Sequence, residues 1–329
     1  MRRRRFLSGV GLLGLQGACA PLVQQAGRPD LGFSGARLEA DAMVSFDGTR
    51  LPMTVWKAAE EPWAVIVGLH GMNDYAQAFT LAAPWWAQQG ITTYAYDQRG
   101  QGRGPNRGVW GGDTLLTEDV RTAAALARAR HPKAILCVMG HSMGGAVAVA
   151  AFASDRPPDA DRLIVAAPAV WGWSRQAIPN RLALWIAAHV APGSTIAAPD
   201  WLARRIRASD NIEILRQMGR DPNMIWKTRI DAVYGLVKLM QRADEQMGRL
   251  RAPTLMLYGA KDQIIPKEAA FHAARELKPP QRTAYYPDGW HLLTRDLQGP
   301  VVWRDVEAFL RDPRGPLPSG APPIPGAPA

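Results

Sequence analysis

Ile135-Leu136-Cys137-Val138-Met139 runs without a break into Gly140-His141-Ser142-Met143-Gly144-Gly145, and Ala146-Val147-Ala148-Val149-Ala150-Ala151 follows. Five apolar residues in a row read as a strand buried on both faces. The small residues after the glycines read as a helix that can lie close to a sheet. Between them stands G-x-S-x-G, in the strand–turn–helix setting where that spacing has a mechanical meaning. A serine lifted clear of a sheet needs a sharp turn. Gly140 and Gly144 remove the side chains that would collide as strand and helix fold back on each other. The helix points its free N–H groups at the same spot, so the amide of Met143 can face a developing negative charge. Ser142 is therefore the expected nucleophile.

Working outward, apolar runs at 64–69, 91–96, 163–166, 254–258 and 283–286 have the same character. Helical stretches at 79–89, 115–130, 146–154, 267–277 and 302–311 alternate with them. Ahead of the series, 43–46 and 53–56 flank Asp47-Gly48, a hairpin turn signal. Strand and helix in alternation predict an α/β fold with a mostly parallel central sheet flanked by helices. One block breaks the rhythm. Residues 170–249 show no clear strand, several amphipathic helical segments, and five of the twelve tryptophans: Trp171, Trp173, Trp185, Trp201 and Trp226. A helical cap inserted between sheet strands is the expectation, with the core in 35–169 and 250–312. Tryptophans gathered over a ligand edge would suit an apolar substrate.

A serine hydroxyl needs a base, and the base needs an orienting carboxylate. On this architecture the chain order is serine, acid, histidine. His189, His272 and His291 lie well past Ser142. His189 falls on an apolar helical segment of the cap and His272 inside a helix, whereas His291 hangs from a loop beyond a strand end. His291 is the expected base. Asp262 also stands just beyond a strand end, with room for one helix and one strand before His291. Asp288, three residues before the histidine in a tight turn, is the rival acid. The second oxyanion donor should come from the turn after strand 64–69, where His70-Gly71-Met72-Asn73-Asp74 leaves the Met72 N–H facing the site.

The chain ends read differently. Arg2 to Arg5 followed by Phe6-Leu7 and a short apolar run fit an export signal over residues 1–18. Residues 19–34 lack hydrophobic periodicity and read as a tether, and the proline-rich 313–329 as a disordered tail. The net charge of +10 falls to +6 without the first 18 residues, and no basic stripe is present, so nucleic acid is not an expected partner. Two cysteines, Cys19 and Cys137, can build neither a disulfide framework nor a thiolate-rich zinc site.

With these residues in hand, the chain resembles the α/β-hydrolase superfamily, and within it the monoacylglycerol lipase and lysophospholipase group. The marks are His70-Gly71, Asp97-Gln98-Arg99-Gly100-Gln101-Gly102, the segment from Gly140 to Gly145, Gly259-Ala260-Lys261-Asp262, the residues around His291, and Arg220-Asp221-Pro222. Met72-Asn73-Asp74 departs from the small residue, glycine and acid more usual after His-Gly. The resemblance implies the α/β-hydrolase fold, hydrolysis of a carboxylic ester, monoacylglycerol or lysophospholipid above all, through an acyl-enzyme, and no metal or cofactor. A carboxylesterase, a serine peptidase or an acyltransferase could use the same groups. A non-catalytic binding module would be expected to lack one of the three residues. At the N-terminus, Arg3-Arg4-Arg5-Phe6-Leu7 resembles a twin-arginine motif and Leu15-Gln16-Gly17-Ala18-Cys19 a bacterial lipobox. That resemblance implies lipid on Cys19 and a membrane-held protein, with a soluble periplasmic enzyme as the alternative.

Overall fold

The apolar runs do form one sheet. The computed structural model describes residues 20–197 and 205–328. Among the described residues the sheet has nine strands in the order β1-β2-β3-β5-β4-β6-β7-β10-β11. These are β1 (Arg37–Leu38), β2 (Ala42–Val44), β3 (Arg50–Trp56), β4 (Ala64–Leu69), β5 (Ile91–Tyr96), β6 (Ile135–His141), β7 (Arg162–Ala166), β10 (Thr254–Gly259) and β11 (Arg282–Tyr286). The first three are antiparallel, turning through Gly48, and β3 meets β5 antiparallel. From β5 to β11 every pairing is parallel.

Helices α1 (Ala82–Gln88), α2 (Asp113–Arg130), α3 (Met143–Phe152), α7 (Lys267–Glu276) and α8 (Gly299–Arg311) connect and cover these strands. β4 and β10 are buried at every position, as strands covered on both faces must be. Buried apolar residues fall into two clusters, one on each face of the sheet. The fold is that of an α/β hydrolase. Register then sets up the site. Leu69 lies opposite Gly140, His141 opposite Ala166, and Gly259 opposite Tyr286. The parallel strands therefore end level, and the loops that follow β4, β6, β10 and β11 open on one edge.

Between β7 and β10 lie α4 (Ile178–Val190), α5 (Ile212–Arg220) and α6 (Ile230–Gln246). α6 packs directly on α3. Contrary to the expectation of no strand here, Thr195–Ile196 (β8) and Thr228–Arg229 (β9) form a two-residue antiparallel ladder. Tertiary proximity, not local propensity, makes a pairing so short.

Both end segments differ from their expected character. The part of the presumed tether from residue 20 onward is docked. Val23 bridges to Trp110, Gln24 donates to Trp110 O (2.9 Å) and through its side chain to Val109 O (2.9 Å), and Gly27 N–H donates to Asp47 Oδ2 (2.6 Å). Cys19 lies outside the described residues, as does Trp201. The proline-rich tail is docked too. Tyr285 N–H donates to Pro322 O and Ile324 N–H to Thr283 Oγ1, each at 2.8 Å, while Leu317 and Ile324 are buried. An extended, proline-rich chain has few hydrogen bonds to satisfy internally. Here it caps the free edge of β11, using two bulky apolar residues as anchors.

Candidate active site

Ser142 occupies the turn between β6 and α3 with φ 52° and ψ −117°. A non-glycine residue in this region stores about 1–3 kcal/mol of strain, which the surroundings must hold. They do so by backbone bonds: Ser142 N–H donates to Ala166 O, and Ser142 O accepts from Ala146 N–H and Ala169 N–H. The close approach that demands glycine is visible on both sides. A Cβ on Gly140 would stand 2.3 Å from Gly144 O, and one on Gly144 would stand 2.3 Å from Leu69 O. Among the described residues no hydrogen bond engages the Ser142 hydroxyl, an ordinary state for such a group without substrate.

His291 follows β11 and is buried. Its Nδ1 lies 2.8 Å from Asp262 Oδ2. The other oxygen, Oδ1, accepts from Ile264 N–H (2.7 Å) and Ile265 N–H (3.0 Å). Burial alone would raise the Asp262 carboxyl. The His291 imidazole beside it and the two amides outweigh burial and hold it below the usual carboxylate range. An ionised carboxylate only accepts, so Nδ1 of His291 carries the proton and the lone pair of the neutral ring lies on Nε2. Asp288 is elsewhere: its side chain is 73% exposed and pairs with Lys261 at 2.6 Å. His189 stacks on Trp185 and His272 sits on α7 beside Asp244, both apart from this cluster.

The turn after β4 meets Ser142 from the other side. A Cβ on Gly71 would be 3.3 Å from both Ser142 Cβ and His141 Nδ1. This brings Met72, the next residue, up to the elbow. His70 braces the turn from within: Nδ1 donates to Gly71 O (2.8 Å), Nε2 accepts from Gln98 N–H (2.9 Å), and Gln98 Nε2 donates to His70 O (2.7 Å). Burial pushes the His70 imidazole down, so it serves as a neutral strut.

Three further groups hold this arrangement, and of these only His141 lies where a sequence motif could point to it. His141 Nε2 donates to His291 O (2.9 Å) with ring centroids 4.8 Å apart, tying the serine turn to the loop that carries His291. Burial, followed by the charges of His291 and Arg295, pushes His141 down to about 3. Arg295 forms a buried ion pair with Asp74, joining the histidine loop to the turn after β4. Burial would raise the Asp74 carboxyl, but Arg295 and then His70 hold it low. Asp296 accepts from Trp290 N–H and from the Ser209 hydroxyl, each at 2.7 Å, linking the histidine loop to the cap. Burial pushes its carboxyl up to about 6. Asp74 and Arg295 are too far apart in the chain for any local pattern to pair them. His141, inside the motif itself, was the one detectable signal.

The structure thus gathers Ser142, His291, Asp262 and the turn carrying Met72 at one end of the sheet, with Met143 opening α3 behind the serine. The family described as Serine aminopeptidase, S33 matches residues 60–298. The chain belongs to this family. Monoacylglycerol lipase of Mycolicibacterium smegmatis is 27% identical over 267 residues, 80% of this chain and 93% of that protein. Monoglyceride lipase of Mus musculus is 24% identical over 260 residues, covering 78% and 84%. Among solved structures, Paleococcus ferrophilus monoacylglycerol lipase superposes with a TM-score of 0.62 at 20% identity, covering 80% of this chain and 99% of that one. A soluble variant of Saccharomyces cerevisiae monoglyceride lipase gives 0.67 at 17% identity, covering 89% and 99%.

Proposed function

We propose that this protein is a serine hydrolase that cleaves carboxylic esters of single-chain lipids, monoacylglycerol or lysophospholipid, by a two-step acyl transfer. Ser142 attacks the ester carbonyl while His291 Nε2 takes its proton. Asp262 keeps the imidazole in the tautomer that makes this possible. The N–H groups of Met72 and Met143 receive the tetrahedral oxyanion, a contribution of about 3–4 kcal/mol for one such donor. The protonated His291 then delivers its proton to the leaving alcohol, and water repeats the sequence to free the fatty acid. The observation that carries the chemistry is the buried 2.8 Å pair between His291 and Asp262, at the same sheet edge as a serine on a strained turn and separated from its strand β6 by β7. Its relatives, named as lipases for monoacylglycerols, support an ester rather than a peptide.

The lipid preference is supported by α4. Ile178, Leu182, Trp185, Ile186 and Val190 recur at helical spacing and are all exposed, forming one apolar face. An exposed apolar stripe of this length suits a greasy surface or substrate. Pro21, from the docked N-terminal segment, and His189 of α4 line the same cavity, so the chain enters the body beside that face. Export with lipid on Cys19 would then hold the apolar face at a membrane, and we extend the proposal to that location.

The test is turnover of a p-nitrophenyl ester series, monoacylglycerols, lysophospholipids and an aminoacyl p-nitroanilide by the full chain, with Ser142→Ala as control. We expect hydrolysis of the single-chain lipids. Ser142→Ala should lose fluorophosphonate labelling and a factor of about 10⁶ in kcat, the scale seen when a triad nucleophile is removed. Cleavage of the anilide alone, or labelling that survives in Ser142→Ala, would overturn the proposal.

A further inference from the structure

The turn that carries Met72 is fastened to the cap at Asn73, the residue that follows it. Its φ is +65°, a left-handed conformation that asparagine tolerates better than most residues and glycine better still. Glycine would therefore suffice for the backbone, and the side chain calls for a separate reason. Asn73 Nδ2 donates to Thr228 Oγ1 of β9 at 2.7 Å. The Asn73 carbonyl accepts from Ile225 N–H at 3.0 Å, also in the segment between α5 and α6. Its own N–H donates to Gln101 Oε1 at 2.9 Å, on the body of the molecule. Two residues on, the Tyr75 hydroxyl donates to Asp221 Oδ2.

Beside the Tyr75–Asp221 bond the seam opens into a cavity of about 220 Å³, lined by Asp74, Tyr75, Ile214, Met218, Asp221 and Met224 among others. Met224 and Ile225 are buried, so hydrogen bonds and apolar contacts together set how the cap meets the turn. Asn73 Oδ1 is buried without a partner, an unfavourable arrangement to retain unless the other half of the amide has a task. The peptide plane before Met72 is anchored by His70 on Gly71 O and the plane after it by the Asn73 N–H on Gln101, while the Asn73 side chain and carbonyl carry the connection on to the cap.

We propose that Asn73 is a positioning residue that makes the oxyanion donor at Met72 depend on the cap. With the Asn73–Thr228 bond made, the turn is held in its donating geometry. With the cap displaced, the turn relaxes and the chemical step slows even when substrate can still reach Ser142. The cap then governs the rate of acylation as well as access. This rests on the serine-hydrolase reading above, and adds to it a regulation of the same site.

The experiment compares wild type, Thr228→Val, Thr228→Ser and Asn73→Gly on p-nitrophenyl acetate, a short soluble ester with no long acyl chain for the cap to hold. Thr228→Val keeps the shape and loses the acceptor, and Thr228→Ser restores it. Loosening one of two oxyanion donors should cost less than the hundredfold or more of losing it. We expect Thr228→Val and Asn73→Gly each to lower kcat about tenfold with KM within twofold, Thr228→Ser to stay within twofold of wild type, and the Thr228→Val/Asn73→Gly double variant to be no worse than either single one. A Thr228→Val enzyme with unchanged kcat on the short ester overturns the inference while leaving the triad standing. Additive losses in the double variant overturn it as well. A wild-type chain that neither hydrolyses the ester nor takes a fluorophosphonate would instead remove the function on which the inference is built.

Discussion

Replacing Asp262 with asparagine keeps the volume of the side chain and tests the proposed base through its tautomer. Asp262 Oδ1 accepts two backbone N–H groups, from Ile264 and Ile265. An asparagine must keep its carbonyl oxygen there, because an amide nitrogen facing two donors would leave three N–H groups in conflict. Its Nδ2 is thereby forced toward His291. An NH2 group can only donate, so His291 Nδ1 must give up its proton and accept. The proton moves to Nε2, the atom that has to receive the Ser142 proton. The expected cost is a factor of about 10⁴ in kcat, the scale seen when a triad acid is amidated and the geometry survives. That corresponds to roughly 5–6 kcal/mol of transition-state stabilisation. KM should change little, since Asp262 is buried behind the histidine. Asp288→Asn is the matched control: an exposed carboxylate paired with Lys261 should leave kcat within about twofold. The assay is kcat and KM on p-nitrophenyl butyrate for both variants, with thermal unfolding to show that each is folded. An Asp262→Asn enzyme within tenfold of wild type, or an Asp288→Asn enzyme that is the more damaged of the two, would refute the reasoning.

Other outcomes follow from the same structure. Ile324→Ala should destabilise the protein by about 2–4 kcal/mol in urea titration, because Ile324 is 1% exposed in the docked tail; no change would mean that the tail is free in solution. His141 sits at about 3 in the fold against about 6.5 unfolded, so as pH falls below 6.5 the unfolded chain binds a proton that the folded one does not. Stability is lost through that window, and by pH 4 His141→Gln should have lost about 3 kcal/mol less than wild type relative to pH 7; parallel pH–stability curves for the two proteins would contradict this. For the proposed anchor, Cys19→Ala should abolish palmitate labelling and release the protein from the membrane fraction, and label persisting in that variant would exclude lipid on Cys19.

Much of this protein is legible in one dimension. Buried strands announce themselves as unbroken apolar runs, so β4, β6 and β10 can be read before any coordinate is known. The segment from Ile135 to Ala151 forces a strand–turn–helix, because no other local structure places small residues where the chain must pass within van der Waals distance of itself. The positions of Asp262 and His291 follow from the same logic, since a parallel sheet brings the residues after its strand ends to one edge. That reasoning ranks candidate acids but cannot measure them; the 2.8 Å contact of Asp262 and the exposure of Asp288 are tertiary facts. The chain ends show where composition misleads. Residues 20–27 and 313–328 lack the pattern of an independent element, yet both dock, because they complete surfaces that distant segments build: Val109 and Trp110 for one, the free edge of β11 for the other. The links among Asp74, Arg295, Asp296, Ser209, Asn73 and Thr228 are of the same kind. A hydrogen bond between residues 155 or 221 positions apart leaves no periodicity in the sequence, and only the assembly of the sheet, which sets those loops side by side, brings its partners within reach.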